Sequence, residues 1–209
     1  MKQKIIDMLA LQEQINTQVH PQWRQQGFEW YRAIWIESAE LLDHYGWKWW
    51  KQQTPDLPQV QLELVDIWHF GLSMLLQQTQ DIDSLGQVLA GQLKNTGKSD
   101  SDFAETLEEF VAKTVAEKRF DVQLFAQLVQ LAEMSFDDLY DMYVGKNVLN
   151  RFRQDHGYKE GSYQKDWAGR EDNVHLAELL AGAKNNQPDE GVNFLEWLYE
   201  QLSQRYSQN

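Results

Sequence analysis

The stretch WIESAELLDHYGWKWW, residues 35–50, carries two glutamates inside an apolar run. Glu37 and Glu40 are three positions apart, so in an α-helix their side chains would lie on one face. The rest of the run is rich in Trp, Ile, Leu and Ala. Because a helix that is apolar nearly all round is usually buried, the stretch predicts a buried helix that presents two carboxylates together.

A second acidic pair lies in QLELVDIWHF, residues 61–70, where Glu63 and Asp66 are again three positions apart within apolar sequence. The connecting segment 47–57 is short, which favours an antiparallel hairpin whose acidic faces oppose each other. Burying four carboxylates costs too much free energy without compensating positive charge. Clustered carboxylate oxygens are the ligands that hard divalent cations prefer. One pair alone is typical of a solvated helix face, but two pairs joined by a short loop predict a metal site.

The composition excludes several classes of function. The chain has 19 basic and 32 acidic side chains, which give a formal net charge of -13. This charge argues against a binder of polymeric nucleic acid, whose recognition depends on phosphate neutralisation. No apolar run reaches the roughly 20 residues of a membrane-spanning helix. The chain also lacks cysteine, which fits a reducing compartment. We therefore expect a cytoplasmic protein that contacts neither polymeric nucleic acid nor a membrane.

Hydrophobic periodicity is helical almost everywhere, and no run alternates with period two, so the sequence predicts an all-α helical bundle. The predicted helices span about 2–18, 29–46, 58–80, 102–117, 121–134, 136–155, 173–184 and 191–206. Ser135 is expected to cap the helix that follows it, and Asp100 or Ser101 is expected to cap the fourth helix. The polar stretch 91–102 is predicted to be a turn region, and the glycine-punctuated stretch 157–172 an irregular polar segment.

The length of 209 residues suits one sizeable domain. The helical signals are weaker in the middle of the chain than on either side of it. We therefore expect a single all-α domain over 1–209, with a rigid core of about 1–80 and 135–209. A smaller helical lobe of about 81–134 is expected to be mobile.

The segment 143–173, YVGKNVLNRFRQDHGYKEGSYQKDWAGREDN, is locally basic in this acidic chain. Between 146 and 170 it has six Lys and Arg against three Asp and Glu, a local charge of +3. Lys146, Asn150 and Arg153 step by four and three, so they share a helix face. Donors aligned in this way suit phosphate and hydroxyl groups. The alternative is a surface helix with a polar loop, which leaves the local charge and three nearby glycines unexplained.

Together these features resemble the dimeric all-α dUTPases of the all-α NTP pyrophosphatase superfamily. The resemblance runs from about Gln12 to Asn173 and consists of five separated motifs. The motifs are LQEQIN (11–16), ESAELLDHYGWKWWK (37–51), ELVDIWHF (63–70), KNVLNRFRQDHGYK (146–159) and GSYQKDWAGREDN (161–173). The acidic pairs indicate only the broad superfamily, whereas the last two motifs resemble those of the dimeric dUTPases.

The resemblance implies a homodimeric enzyme that uses magnesium, with manganese as an alternative, to hydrolyse dUTP to dUMP and pyrophosphate. It implies that dUDP is also a substrate. In the cell such an enzyme would limit uracil incorporation into DNA and supply dUMP for thymidylate synthesis.

The resemblance also implies roles for individual residues. The acids implied to hold magnesium are Glu37, Glu40, Glu63 and Asp66, and Glu37 or Glu40 would orient the attacking water. The residues implied to bind phosphate are Lys146, Arg153, Tyr158 and Lys165. Those implied to bind the base are Gln12, Asn16 and Trp47, and those implied to bind the sugar are Phe70 and Asn150. His69 and Asn173 are expected near the site.

The chemistry of these side chains is compatible with the implied roles. Uracil offers two carbonyl acceptors and one N–H, and the amides of Gln12 and Asn16 both donate and accept. Trp47 can stack on the base, and a ring at Phe70 against C2′ would leave no room for a ribose hydroxyl. Without the resemblance, Gln12 and Asn16 would be interpreted as helix surface and Phe70 as core. A lone histidine such as His69 is more often structural than catalytic.

Two alternatives stay open at this point. One is a related pyrophosphatase of other base specificity, for example for dCTP, in which the base-binding residues would not determine selectivity. The other is a non-catalytic helical binding module whose acidic pairs no longer bind metal, and a magnesium titration would identify it by the absence of binding.

Overall fold

The structure is a computed structural model that describes residues 1–97, 102–185 and 193–207. Helices dominate this part of the chain, and the predicted all-α fold is confirmed. The helices are α1 (Lys2–Val19), α2 (Trp30–Tyr45), α3 (Leu57–Leu76), α4 (Ile82–Lys94), α5 (Phe103–Glu117), α6 (Val122–Leu131), α7 (Phe136–Asp155), α8 (Asp172–Asn185) and α9 (Phe194–Tyr206). A 3₁₀ helix covers Trp23–Gln25, and the strands β1 (Asp166–Trp167) and β2 (Arg170–Glu171) pair antiparallel. Within the described residues, no helix combines the length and apolarity needed to cross a membrane.

The helices predicted from periodicity are confirmed, with ends that differ by about one turn or less. Gly46 ends α2 at a positive φ of 91°, a conformation that glycine adopts without steric cost. Ser135 caps α7 as predicted. Its hydroxyl accepts from the Asp138 N–H at 3.1 Å, and the Asp138 carboxylate accepts from the Ser135 N–H at 3.2 Å. This reciprocal pair satisfies two backbone donors at the start of the helix.

Three features of the structure differ from the sequence-based expectation or add to it. Helix α4 was not predicted, and it extends to Lys94, so the stretch 91–102 begins as helix rather than as a turn. Its N-cap is Asp81, whose carboxylate accepts from the Ser84 N–H at 3.0 Å. The expected caps Asp100 and Ser101 lie outside the described residues, and Asp102 is the N-cap of α5. The irregular segment after α7 contains the β1–β2 hairpin, whose two-residue strands are too short to produce a detectable alternation.

The contacts divide the chain into two compact units, Met1–Tyr140 and Asp141–Asn209. In the first unit, α4 packs against α1, and α5 packs against α2 and α6. Helices α4, α5 and α6 belong to the segment 81–134, and the mobility of this segment stays a prediction.

Helix α3 forms the centre of the first unit because it is apolar on nearly every side. Trp68 is fully buried, stacks on Phe125 at 4.9 Å and directs its indole N–H to the Met8 sulfur at 3.4 Å. These contacts attach α3 to α6 and α1. Burying a large apolar side chain of this kind stabilises the fold by about 1.5–3 kcal/mol, so α3 is firmly held where it carries its acidic pair.

The prediction that α2 is buried nearly all round is wrong. Its fully or nearly fully buried side chains, Ile34, Ser38 and Leu41, recur at the spacing of one helix face. Trp35 and Ile36 are about half exposed, at 49% and 52%. The physical reason is that α2 packs on α3 and α5 by one side, while Trp35 and Ile36 on its other side stay half exposed among the described residues.

The second unit has its own hydrophobic core around Phe152 and Trp167, both fully buried. Trp167 lies in β1, and its indole N–H donates to the Gln164 carbonyl at 2.8 Å. The hairpin turn is formed by Ala168 and Gly169, both at positive φ, as a two-residue type I′ turn requires. The buried indole therefore attaches the hairpin to the core that α7, α8 and α9 provide.

Candidate active site

Carboxylates from α2 and α3 form a cluster in the first unit. One oxygen from each of Glu37, Glu63 and Asp66 lies within 4.8 Å of the others. Glu63 is buried, whereas Glu37 and Asp66 are half-buried. The cluster exists because α2 packs mainly on α3, and the Asp56 N–H donates to the His44 carbonyl at 2.9 Å where the two helices are joined. The predicted meeting of the two acidic faces is therefore confirmed for these three side chains.

Glu40 differs from the other three acids. It lies about one turn beyond Glu37 on α2, its side chain is exposed, and it is not a member of the cluster that the described residues form. His44, about one turn further, places its Nε2 3.7 Å from Glu63 Oε1. The four acids were expected to lie together and to be buried. Three of them, Glu37, Glu63 and Asp66, do lie together, but only Glu63 is buried.

The cluster fits a hard divalent cation. Magnesium binds oxygen at about 2.0–2.1 Å, which places ligand oxygens about 3–4 Å apart, and the three carboxylates approach this spacing. Their donor atoms are all oxygens, the ligand type that magnesium and manganese accept. Three negative charges at this separation repel one another unless a cation compensates them.

A second set of polar side chains connects α1 with α3. Gln12, Asn16, His69 and Ser73 are all buried. Gln12 Nε2 donates to Asn16 Oδ1 at 3.0 Å and to Ser73 Oγ at 2.9 Å, and Asn16 Nδ2 donates to Ser73 Oγ at 3.0 Å. His69 Nδ1 lies 2.7 Å from Gln12 Oε1. The residue-based interpretation of Gln12 and Asn16 as helix surface is therefore wrong, because both belong to a buried network.

Trp47 and Phe70, the aromatic residues expected at the base and sugar, have other neighbours in the described residues. Trp47 follows α2, is half exposed, and donates through its indole N–H to Asp43 Oδ1 at 3.0 Å. Phe70 follows His69 on α3 and stacks on Trp30, with 6.2 Å between the ring centroids. Trp47 is not part of the hydrogen-bonded network of Gln12 within the described chain.

In the second unit, the basic face of α7 is confirmed by its contacts. Asn173 Oδ1 accepts from Lys146 Nζ at 2.9 Å and from an Arg153 nitrogen at 3.3 Å. A second Arg153 nitrogen donates to Asn150 Oδ1 at 3.2 Å. Lys146 is buried and Arg153 nearly so, so neither is a solvated surface cation.

A fully buried carboxylate, Asp172, holds Arg153 in place. Its two oxygens accept from the guanidinium at 2.8 and 2.7 Å, and one also accepts from the Tyr163 hydroxyl at 2.8 Å. Burial alone would raise the pKa of Asp172, but the hydrogen bonds and charge of Arg153 outweigh it and lower the pKa. Burial and the neighbouring Asp172 carboxylate raise the pKa of Tyr163 well above its usual value, so this hydroxyl stays protonated.

The other two residues expected at phosphate are more exposed. Tyr158 is half exposed, and its ring lies 6.0 Å from both the Tyr163 ring and the Arg153 guanidinium. Lys165 Nζ lies 3.1 Å from the Glu171 carboxylate. Burial would lower the pKa of Lys165, but this carboxylate outweighs it and raises the pKa. Both side chains keep surface that a ligand could contact.

Comparison with protein families agrees with the motif-based resemblance. A family model described as dUTPase matches residues 4–158, which is 155 of the 209 residues. The chain belongs to the dUTPase family. Membership identifies it as a hydrolase that acts as a dUTP diphosphatase. No curated protein matches the chain significantly.

The dUTPase match covers both acidic pairs, the buried network of α1 and α3, and the basic face of α7 as far as Tyr158. It ends before Lys165 and Asn173, so these two assignments depend on the fifth motif alone. Two residues that organise the expected ligands, Ser73 and Asp172, are not predicted from the sequence. Ser73 follows Asp66 by seven positions, so extending that helix face would have included it. Asp172 lies within the fifth motif, but its pairing with Arg153 spans 19 residues, and no local pattern indicates it.

Proposed function

We propose that this dUTPase hydrolyses dUTP to dUMP and pyrophosphate, and dUDP to dUMP and phosphate, with magnesium held by Glu37, Glu63 and Asp66. The observation that carries the proposal is that these three carboxylates meet inside the region matched by the dUTPase family. A bound cation supplies charge neutralisation for the phosphates and lowers the pKa of bound water. Manganese, which accepts the same oxygen ligands, is the expected substitute.

Within this proposal, Glu40 is the better candidate for orienting the attacking water. Glu37 is occupied in the acidic cluster, whereas Glu40 lies on the same side of α2 outside it. A carboxylate that is not holding the cation can accept a proton from water as the water attacks phosphorus. Glu40 would become a further magnesium ligand if substrate binding moved its carboxylate to the cluster.

The remaining assigned residues would bind the nucleotide. Lys146, Arg153, Tyr158 and Lys165 would donate to phosphate oxygens and stabilise the charge that develops on them in the transition state. Gln12 and Asn16 would hydrogen-bond to the uracil, with Trp47 stacking on it. Phe70 would pack against the sugar, Asn150 would bond the 3′-hydroxyl, and His69 and Asn173 would support these contacts. We place the reaction in the cytoplasm, where it would limit uracil incorporation into DNA and supply dUMP for thymidylate synthesis.

The test is pyrophosphate release from a panel of dUTP, dCTP, dTTP, dATP, dGTP and UTP, with magnesium and with excess chelator. We expect release from dUTP in strong preference to the others and its loss with chelator. Activity of the apoprotein should return on adding magnesium or manganese. Release that chelator does not change would contradict the metal assignment, whereas release from another nucleotide would contradict only the assignment of the base-binding residues.

We further propose a homodimer whose interface includes the side of α2 that carries Trp35 and Ile36. Trp35 and Ile36 are consecutive large apolar side chains that are each about half exposed there, and a contiguous exposed apolar patch is typical of protein interfaces. Ile36→Glu should therefore raise the dimer dissociation constant by at least about tenfold, because a charge would be buried at the interface. Sedimentation equilibrium measures this constant. Val88→Glu, which alters an equally exposed aliphatic residue on α4, should leave the dissociation constant unchanged; equal effects of both changes would contradict the assignment.

A further inference from the structure

Ser73 is the centre of the buried network that joins α1 to α3. It is fully buried, and its Oγ lies 2.9 Å from Gln12 Nε2, 3.0 Å from Asn16 Nδ2 and 2.9 Å from the His69 carbonyl. Neither the dUTPase resemblance nor the metal cluster requires a serine at this position. Its contacts, however, are with the two amides expected to read the base.

The directions of the hydrogen bonds described above follow from the single proton of Ser73. The hydroxyl donates to the His69 carbonyl at 2.9 Å, which is the bond to the carbonyl four residues earlier that a buried serine within a helix makes. Its oxygen can then only accept, so both amides must present their NH₂ groups to it. With Gln12 Nε2 directed to Ser73, Gln12 Oε1 faces His69 Nδ1, which must carry a proton to donate to it. One hydroxyl thus determines two amide orientations and one histidine tautomer.

The fixed orientation of Asn16 matters for base recognition. Asn16 Oδ1 accepts from Gln12 Nε2 and Asn16 Nδ2 donates to Ser73, which leaves one oxygen lone pair and one N–H of the amide for a ligand. Uracil presents an N–H at N3 beside a carbonyl, which complements this acceptor and donor. Cytosine presents an acceptor at N3 beside an amino group, the reverse pattern, and would match only if the amide turned over.

We propose that Ser73 is a positioning residue that determines selectivity for uracil over cytosine by fixing the amide orientations of Gln12 and Asn16. The inference rests on the proposed function, in which these two amides contact the base. Ser73 itself acts through them and contacts no reacting atom. Without its hydroxyl, the amide of Asn16 can rotate to either orientation, and the energetic difference between the two bases falls.

The test compares kcat and KM for dUTP and dCTP in the wild-type enzyme and in Ser73→Ala. We expect the ratio of kcat/KM values for dUTP and dCTP to fall by a factor on the order of 10 to 100, as the loss of buried hydrogen bonds would cause. The change should appear mainly in KM, because the acidic cluster is untouched.

Ser73→Thr, which keeps a hydroxyl, should retain more of the selectivity than Ser73→Ala. Ser38→Ala removes another buried serine hydroxyl, one that donates to the Ile34 carbonyl at 2.7 Å, and should leave the ratio unchanged.

Asn16→Ala separates this inference from the proposed function. If Asn16→Ala leaves the selectivity ratio unchanged, the base-reading role of the amide is wrong. If Asn16→Ala lowers the ratio and folded Ser73→Ala does not, the role of Ser73 is wrong. A measurement on the wild-type protein covers the case in which Ser73→Ala does not fold: ¹⁵N NMR of His69 should show the proton on Nδ1, and a proton on Nε2 alone would overturn the proposed orientations.

Discussion

Glu63→Gln should reduce kcat/KM for dUTP by a factor on the order of 10³, because a catalytic cation contributes several kcal/mol to the transition state and each ~1.36 kcal/mol corresponds to tenfold. Glu63 is the most buried member of the acidic cluster. Glutamine keeps its size but removes the charge and one strong ligand. Steady-state hydrolysis at saturating magnesium measures the loss.

Thermal unfolding of Glu63→Gln provides an independent readout of the same site. Magnesium that binds only the folded wild type should raise its melting temperature, and this increase should largely disappear in the variant. Without magnesium, the variant should be as stable as the wild type or more stable, since one of three mutually repelling carboxylates is gone.

Two further variants make the result specific. Glu108→Gln changes an exposed glutamate on α5 and should alter neither hydrolysis nor the response to magnesium. Glu40→Gln should lower kcat while retaining the magnesium-dependent rise in melting temperature, as expected of a residue that orients water rather than holds the cation. Full activity of Glu63→Gln at the same magnesium concentration would exclude the cluster as the catalytic metal site.

The sequence could predict this cluster because the relevant information is local. The i, i+3 spacing places each acidic pair on one face, and a short connection between two helices makes them neighbours. What it could not predict is which carboxylates meet, since that depends on how α2 and α3 cross. Glu40 is excluded and His44 is brought to 3.7 Å from Glu63 by this packing geometry, which no spacing within one helix encodes.

Burial was harder to predict than helix position. Both acidic helices have apolar sequences, but α3 is covered on nearly every side whereas α2 leaves Trp35 and Ile36 half exposed. The amides of Gln12 and Asn16 show the opposite error, because polar residues on α1 become buried where Ser73 and His69 of α3 face them. In each case the outcome depends on which other helices pack against a face, which periodicity in one segment does not reveal.

Asp172→Asn should lower the stability of the second unit by about 3–5 kcal/mol at neutral pH, the usual cost of removing one partner of a buried ion pair. The fully buried carboxylate makes two hydrogen bonds to Arg153, whose side chain is only 13% exposed. Asparagine would leave the guanidinium without its counter-charge and the Tyr163 hydroxyl with a weaker acceptor. Amide hydrogen exchange of α8 measures the change, because it reports on local as well as global opening.

The stability difference between wild type and Asp172→Asn should depend on pH in a defined direction. The folded-state pKa of Asp172 is lowered from 3.8, so the pair contributes fully above that value and loses its contribution as the pH falls through the lower folded pKa. The difference in stability between wild type and Asp172→Asn should therefore be constant near neutral pH and shrink below about pH 4. Glu178→Gln is the matched control, since this exposed carboxylate also pairs with arginine, both with Arg170 and with Arg205, the latter at 2.8 Å. An exposed pair contributes about 0–1 kcal/mol, so equal losses in the two variants would show that the Asp172–Arg153 pair stabilises the unit no more than a surface contact does.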